Sequence, residues 1–130
     1  MNTAWVYEQD HKKTVSHHLI LPKNWKMDKK FVAAELVSYN AGSVVSRSLL
    51  KKSGGNVTLF AFDKDEYLSE HTTPFEALLQ VLDGSALITI GGEPNTLEAG
   101  ESIILPASVP HAVKAISQMK MQLIMIKNPA

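Results

Sequence analysis

Five histidines and no cysteine set the chemistry open to this chain of 130 residues. Without thiols a disulfide framework, an iron–sulfur cluster and a thiolate zinc site are excluded, so a transition metal must be held by imidazole, carboxylate, amide or water. His71 follows the polar pair Ser69-Glu70 and precedes the apolar run Ala77–Leu82. His111 shares an alternating face with Val113 and Ala115, opposite Lys114, which points its ring inward if the segment is a strand. A neutral imidazole binds zinc, manganese, nickel or iron, and histidines on different strands of a small barrel can converge inside it. A lone histidine on an apolar face is more often a hydrogen-bonded structural residue, so the functional reading requires His71 and His111 to act together. Around them, Glu76 is the first carboxylate after His71, and Thr73, Gln80 and Met121 are candidate pocket residues. Each has a structural alternative: Glu76 as a solvated turn carboxylate, Thr73 as a turn residue, Gln80 paired with backbone or a partner subunit, and Met121 as core filling. His11, His17 and His18 have no interleaved acid and read as solvated surface.

The elements that would position these residues are short strands. Apolar runs at Val57–Phe62, Ala77–Leu82, Ala86–Ile90, Ser102–Leu105, Ala112–Ile116 and Met121–Ile126 are separated by Asp63-Lys64-Asp65, Asp83-Gly84, Gly91-Gly92 and Ala99-Gly100, all turn chemistry. The Gly91-Gly92 pair predicts a hairpin joining Ala86–Ile90 to the segment around Thr96-Leu97. Ser43–Leu50, followed by Lys51–Asn56, predicts one more hairpin ahead of this set. Residues 1–42 read as an extension packing on a single barrel of residues 43–130. Within the extension, Asp28 could cap a short helix, whereas Phe31-Val32 and Leu36-Val37 suit a strand equally well. Ala77–Leu82 is apolar on both faces except at Gln80 and is expected to be covered on both sides. Leu78, Leu82, Ile116 and Ile124 add apolar surface that one small barrel does not need, which predicts a homodimer.

Composition narrows the function classes further. Thirteen basic and thirteen acidic residues cancel to zero formal charge, leaving no field to attract a nucleic-acid backbone. The first ten residues lack a signal-peptide pattern and no apolar run reaches membrane-spanning length, so a soluble cytoplasmic protein with no membrane association is expected. No serine sits in a Gly-x-Ser-x-Gly elbow, and Gly91-Gly92 precedes a strand instead of a helix, which argues against a serine hydrolase and a phosphate cradle.

The segment from Gly100 to Ala115 resembles the second motif of the cupin family, which runs Gly, five residues, Pro, any residue, Gly, two residues, His, three residues, Asn. Gly100, Pro106 and His111 match, while Ser108 stands for the family Gly and Ala115 for the Asn. The first motif is degenerate. Asp65 replaces its opening Gly, His71 matches the first His, Thr73 replaces the second, and Gly84 closes it. The family Glu position falls on Ala77, with Glu76 one residue early. Because a one-residue shift turns a strand side chain to the other face, Glu76 can serve only if a bulge or the Thr73-Pro74-Phe75 turn re-aims it.

The resemblance covers roughly residues 44–126. It implies an all-β fold, a cupin-type antiparallel jelly-roll β-barrel with an N-terminal extension of strand or short helix. It also implies a divalent metal (zinc, manganese, nickel or iron) on His71, His111 and Glu76, and a small oxygen-bearing molecule as partner. Isomerase, dioxygenase and decarboxylase chemistry are all compatible with it. The alternative is a non-enzymatic cupin that binds a small molecule and has lost tight metal binding.

Overall fold

Strand-forming sequence dominates the computed structural model, in which residues 4–8, 13–17 and 30–127 are described. In chain order the strands are β1 (Ala4–Glu8), β2 (Lys13–His17), β3 (Val44–Lys52), β4 (Gly55–Phe62), β5 (Tyr67–His71), β6 (Glu76–Asp83), β7 (Ser85–Ile90), β8 (Glu93–Glu98), β9 (Ser102–Leu105), β10 (His111–Ala115) and β11 (Met119–Ile126). They pair antiparallel into a seven-stranded sheet, ordered β2-β1-β3-β4-β11-β6-β9, and a four-stranded sheet, ordered β5-β10-β7-β8. The chain crosses repeatedly between the two sheets, which is the jelly-roll form of barrel. Both glycines of the β7–β8 hairpin have positive φ, +56° at Gly91 and +84° at Gly92, as a tight two-residue turn requires.

Burial follows the strand period. Along β6, Ala77, Leu79 and Val81 are buried and face the barrel interior, while Leu78, Gln80 and Leu82 are half-buried on the other face. The interior is filled by Phe60, Phe62, Leu79, Ile88, Val113, Met119 and Met121. Side chains of this size stabilise the fold by about 1.5–3 kcal/mol each when fully buried.

The outer face of the large sheet is partly covered too. A 3-10 turn at Ala33–Leu36 leads into Val37, 4% exposed, which packs with Val45, Leu59 and Ala61. Three hydrogen bonds tie this strap down: Arg47 Nη1 to the Leu36 carbonyl at 2.7 Å, Lys120 Nζ to the Ala34 carbonyl at 2.6 Å, and Tyr39 Oη to Asp83 Oδ2 at 2.5 Å. Burial, reinforced by the Asp83 hydrogen bond and charge, raises the Tyr39 hydroxyl above its ordinary range, so it stays a donor. The short helix expected here is a single 3-10 turn without a side-chain cap, Phe31-Val32 and Leu36-Val37 form no strand, and the strands of the extension are β1 and β2. Asp28, His11 and His18 lie outside the described residues.

Below the strap, the same face carries an apolar row. Leu50, Val57, Ile124, Leu78 and Ile104 are successive cross-strand partners on β3, β4, β11, β6 and β9. Its two ends, Leu50 and Ile104, are 55% and 53% exposed. The expected covering of β6 on both sides is therefore met at Leu82, which packs under the strap, and not at Leu78.

Candidate metal centre

The two histidines meet. His71 closes β5 and His111 opens β10, and the strands pair so that the two residues are direct cross-strand partners. This pairing depends on a bulge. Val113 pairs with Leu68, two residues from His111 on β10 but three from His71 on β5, so β5 absorbs one extra residue between them. Without it His71 would turn to the outer face. From residue order alone His71 stands at the entrance of the apolar run of β6, and only Glu76 needs a bulge. The structure gives His71 a strand of its own, whose polar composition, Tyr67-Leu68-Ser69-Glu70-His71, carried no clear alternation to signal it.

Two backbone positions flank this strand pair, Ser108 in the loop before His111 and Asp65 at the far end, where β5 begins. Asp65 and Ser108 stand where the cupin motifs carry glycine, and they are the described non-glycine residues with positive φ, +68° and +64°. The left-handed conformation thus survives the change of residue, which costs a non-glycine of the order of 1 kcal/mol. Ser108 is held by its N–H, which donates to the Thr73 carbonyl at 2.7 Å and so ties the β9–β10 loop to the β5–β6 loop.

The rings lie at 66° with centroids 4.3 Å apart, and the two Nε2 atoms are 3.1 Å apart. Each Nδ1 faces a backbone carbonyl: that of Ser69 at 2.8 Å for His71, and that of Val109 at 3.4 Å for His111. With both hydrogens on Nδ1, donated to those carbonyls, the two Nε2 lone pairs confront each other and a cation between them relieves the repulsion; with one ring's hydrogen on Nε2, that ring donates to the other. His111 is 7% exposed, whereas His71 is exposed. Burial, and secondarily the charge of His71, lowers the His111 pKa; the contact with the Val109 carbonyl opposes this and does not prevail. The buried ring is thereby kept in the neutral, metal-binding form.

These donors fit a metal ion in kind. An Nδ1–H anchored on a carbonyl with Nε2 free is how protein imidazoles are oriented toward metals. Nitrogens 3.1 Å apart are close enough that both imidazoles would hold one divalent ion.

The other expected residues are not brought to the pair. Glu76 is exposed and lies on the outer face of the large sheet with Leu78, because β6 runs regularly from its first residue and no bulge re-aims it. The inward side chain at that end of β6 is Ala77. Gln80 also faces outward, paired with Gln122 and Ser102. Thr73 is a turn residue, its hydroxyl donating to the Phe75 carbonyl at 3.1 Å and accepting from the Phe75 N–H at 3.4 Å. Met121 is 1% exposed and packs in the core, so it lines no open cavity. Among the described residues no group of three His, Asp or Glu side chains is placed to hold a metal. A groove of about 370 Å3 bordered by Tyr67, Glu70, Leu87 and Lys114 lies on the outer face of the small sheet, away from the two imidazoles.

Sequence reasoning passed over Glu93. It shares the His71–His111 row through Ile90, two strands from His111 on the inner face, and is exposed at the barrel rim. Its position in a Gly-Gly-Glu-Pro turn gave no sign of this, since only the β7–β8 and β7–β10 registers place it there. Among the described residues no helix is long and apolar enough to cross a membrane.

No functionally curated protein matches the chain. Among solved structures, a conserved protein of unknown function from Streptococcus pyogenes is similar at 28% identity and a TM-score of 0.77, over 88% of this chain and 100% of that one. A cupin 2 conserved barrel domain protein from Leptotrichia buccalis is 42% identical with a TM-score of 0.70, over 72% of this chain and 46% of that longer one. A cupin superfamily protein from Desulfitobacterium hafniense is 25% identical with a TM-score of 0.75, over 82% of this chain and 97% of that one. The family model of the cupin domain matches residues 58–127, which spans β4 to β11 and includes both imidazoles. The chain belongs to the cupin family.

Proposed function

We propose that this cupin barrel holds a divalent metal ion between His71 and His111 and offers the remaining coordination positions to a small oxygen-bearing molecule. The observation that carries the reading is the pair of Nε2 atoms facing each other at 3.1 Å while each Nδ1 is turned to a backbone carbonyl. His111 supplies the fixed, buried donor, and its low pKa keeps it free of a competing proton at neutral pH. His71, at the exposed end of β5, supplies the second donor from the solvent side. A metal held there would act as a Lewis acid on a bound carbonyl or carboxyl oxygen, or take part in dioxygen chemistry if it were iron. Ile90 beside His111, with Val113 and Leu105 in the same core cluster, keeps water from the inner side of the pair.

A second reading is favoured by one observation. Ala77 faces inward where a carboxylate ligand would stand, and this leaves a barrel suited to a metal-free role in binding a small molecule. Calorimetric titration of protein purified without a polyhistidine tag separates the two readings. Zinc, manganese, nickel and ferrous iron are added in turn to the wild type and to His111→Ala. Saturable binding by the wild type that is lost in the variant supports the metal site. Equal binding by both proteins eliminates it, and no binding by either favours the metal-free barrel.

A further inference from the structure

β5 is an edge of the small sheet and pairs with β10 alone. Both of its flanks are tied down. Before it, the Asp65 N–H donates to the Ala115 carbonyl at 3.0 Å and the Ala115 N–H to the Glu66 carbonyl at 2.9 Å; after it, the Thr73 carbonyl accepts from the Ser108 N–H at 2.7 Å. Leu68 is fixed as well, opposite Val113 and packed on the core. Residues 69–72 lie between these anchors and contain the extra residue of the bulge.

This segment has two ways to pair. Counted on from Leu68 and Val113 without a bulge, Ser69 falls opposite Ala112 and Glu70 opposite His111 on the inner face, while His71 turns outward. With the bulge, His71 takes the inner place and Glu70, exposed, borders the groove on the outer face. A slip from one to the other breaks no second ladder, because β5 has a single neighbour. Nor does it stretch the chain: with Glu70 paired, His71 and Thr72 together span the gap to Thr73 that Thr72 otherwise spans alone.

Burial does not choose between the two pairings. Ser69, Glu70 and His71 are polar, so the slip moves no apolar side chain into water, and strands of this kind specify register weakly. The bulged form is held by contacts of His71, to the Ser69 carbonyl at 2.8 Å across the bulge itself and to His111 at 3.1 Å. The unbulged form recovers the ladder pairing that the extra residue forfeits, and it sets the Glu70 carboxylate where it accepts from the His111 ring.

We infer that β5 exchanges between these two registers, with Glu70 competing with His71 for the place beside His111. Resting on the metal reading above, a divalent ion selects the bulged register because there it holds both imidazoles. Ser69 is then a positioning residue, the extra residue that lets His71 face inward, and Glu70 governs the site without touching it in the bulged form.

NMR relaxation dispersion on isotope-labelled, full-length, tag-free protein tests the exchange without metal. The wild type should show a minor register of about 1–10%, with dispersion at residues 69–72, His111 and Ala112 and none in the β7–β8 hairpin, and zinc should suppress it. Glu70→Leu offers an apolar side chain to the inner place, a burial worth about tenfold or more. The ratio of unbulged to bulged register should rise by at least that factor, cross-strand NOEs from His111 should appear to residue 70, and zinc affinity should fall in proportion to the bulged fraction. Deleting Ser69 from Glu70→Leu should restore the His71–His111 NOEs and zinc binding, since with one residue fewer the regular pairing faces His71 inward. The polar Glu70→Gln should not raise the ratio.

Absence of dispersion in β5 of the metal-free wild type overturns the inference, and this measurement decides even if the variants fail to fold. A folded Glu70→Leu whose His111 NOEs stay with His71 alone also overturns it. Both results are obtained without metal and leave the metal reading intact. Failure of the wild type to bind zinc, manganese, nickel or ferrous iron in calorimetry overturns the metal reading and the selection of register by metal, while the exchange itself is still decided by the dispersion.

Discussion

Truncating either imidazole separates the metal's contribution to stability from that of the ring itself. Unfolding entropy near the midpoint is about 2.1 cal/mol/K per residue, so for 130 residues it is about 270 cal/mol/K and each 1 kcal/mol shifts Tm by about 4 °C. A metal at ten times its Kd stabilises the folded state by about 1.4 kcal/mol, or about 5 °C. His71 is exposed, so His71→Ala should change the metal-free Tm by no more than about 2 °C. His111 is 7% exposed, so His111→Ala removes buried contacts and should lower the metal-free Tm by about 4–11 °C, for a loss of about 1–3 kcal/mol. If either loss weakens metal binding a hundredfold, the same metal concentration stabilises by less than about 0.1 kcal/mol, and the 5 °C shift falls below about 0.5 °C. Differential scanning calorimetry with zinc or nickel, on tag-free protein, reads both effects at once. A metal-induced shift in His71→Ala of half the wild-type value or more would refute the shared site. A metal-free Tm for His111→Ala equal to that of the wild type would refute the burial argument.

Other outcomes follow from the same geometry. Glu76→Gln should leave the metal-induced Tm shift unchanged, because the side chain lies on the outer face of β6; a reduced shift would place it in the site. The folded-state pKa of His111 is below its ordinary value of 6.5, so the unfolded chain takes up its proton first. This part of the stability is present above about pH 6.5 and is lost as the pH falls from there through the lower folded-state value. Urea unfolding at pH 8 and pH 5.5 should therefore show a smaller loss in His111→Gln than in the wild type, and equal losses would count against it. Ser108→Gly should raise Tm by about 2–4 °C by relieving a positive φ of 64°, an effect of about 0.5–1 kcal/mol after the entropic cost of glycine. We also propose that the row Leu50, Val57, Ile124, Leu78 and Ile104 is covered by a second copy. Light scattering should then give twice the 14.3 kDa chain mass and the single mass for a folded Ile124→Lys; a wild-type monomer would end that proposal.

The barrel itself was legible in the chain. Turn residues at regular intervals and alternating apolar runs located β4, β6, β7, β9 and β11 to within about two residues, because a strand half-buried in a core imposes its period on the sequence. The spacing of Gly100, Pro106 and His111 pointed to the family, with Gly100 at positive φ in the turn before β9, Pro106 in the loop before β10 and His111 opening β10. β5 was missed, and with it the reason why His71 faces inward. A short polar strand with an extra residue has no period to read, and its register is decided by pairing with β10. The 3-10 strap was likewise ambiguous because its apolar residues answer to the face of the large sheet and not to a local repeat.

The sequence by itself determined that any metal must be held without thiolate, that His71 and His111 flank the apolar runs of the barrel, and that Glu76 stands one residue out of register. Those are properties of residue type and spacing, which the chain carries locally. Only the tertiary structure decided that the two Nε2 atoms meet at 3.1 Å, that Glu70 and Glu76 turn to outer faces, and that Ala77 and Leu105 pair in the barrel core. These follow from strand register, and register is fixed by partners distant in the chain and by a bulge whose only justification is the pairing that it permits.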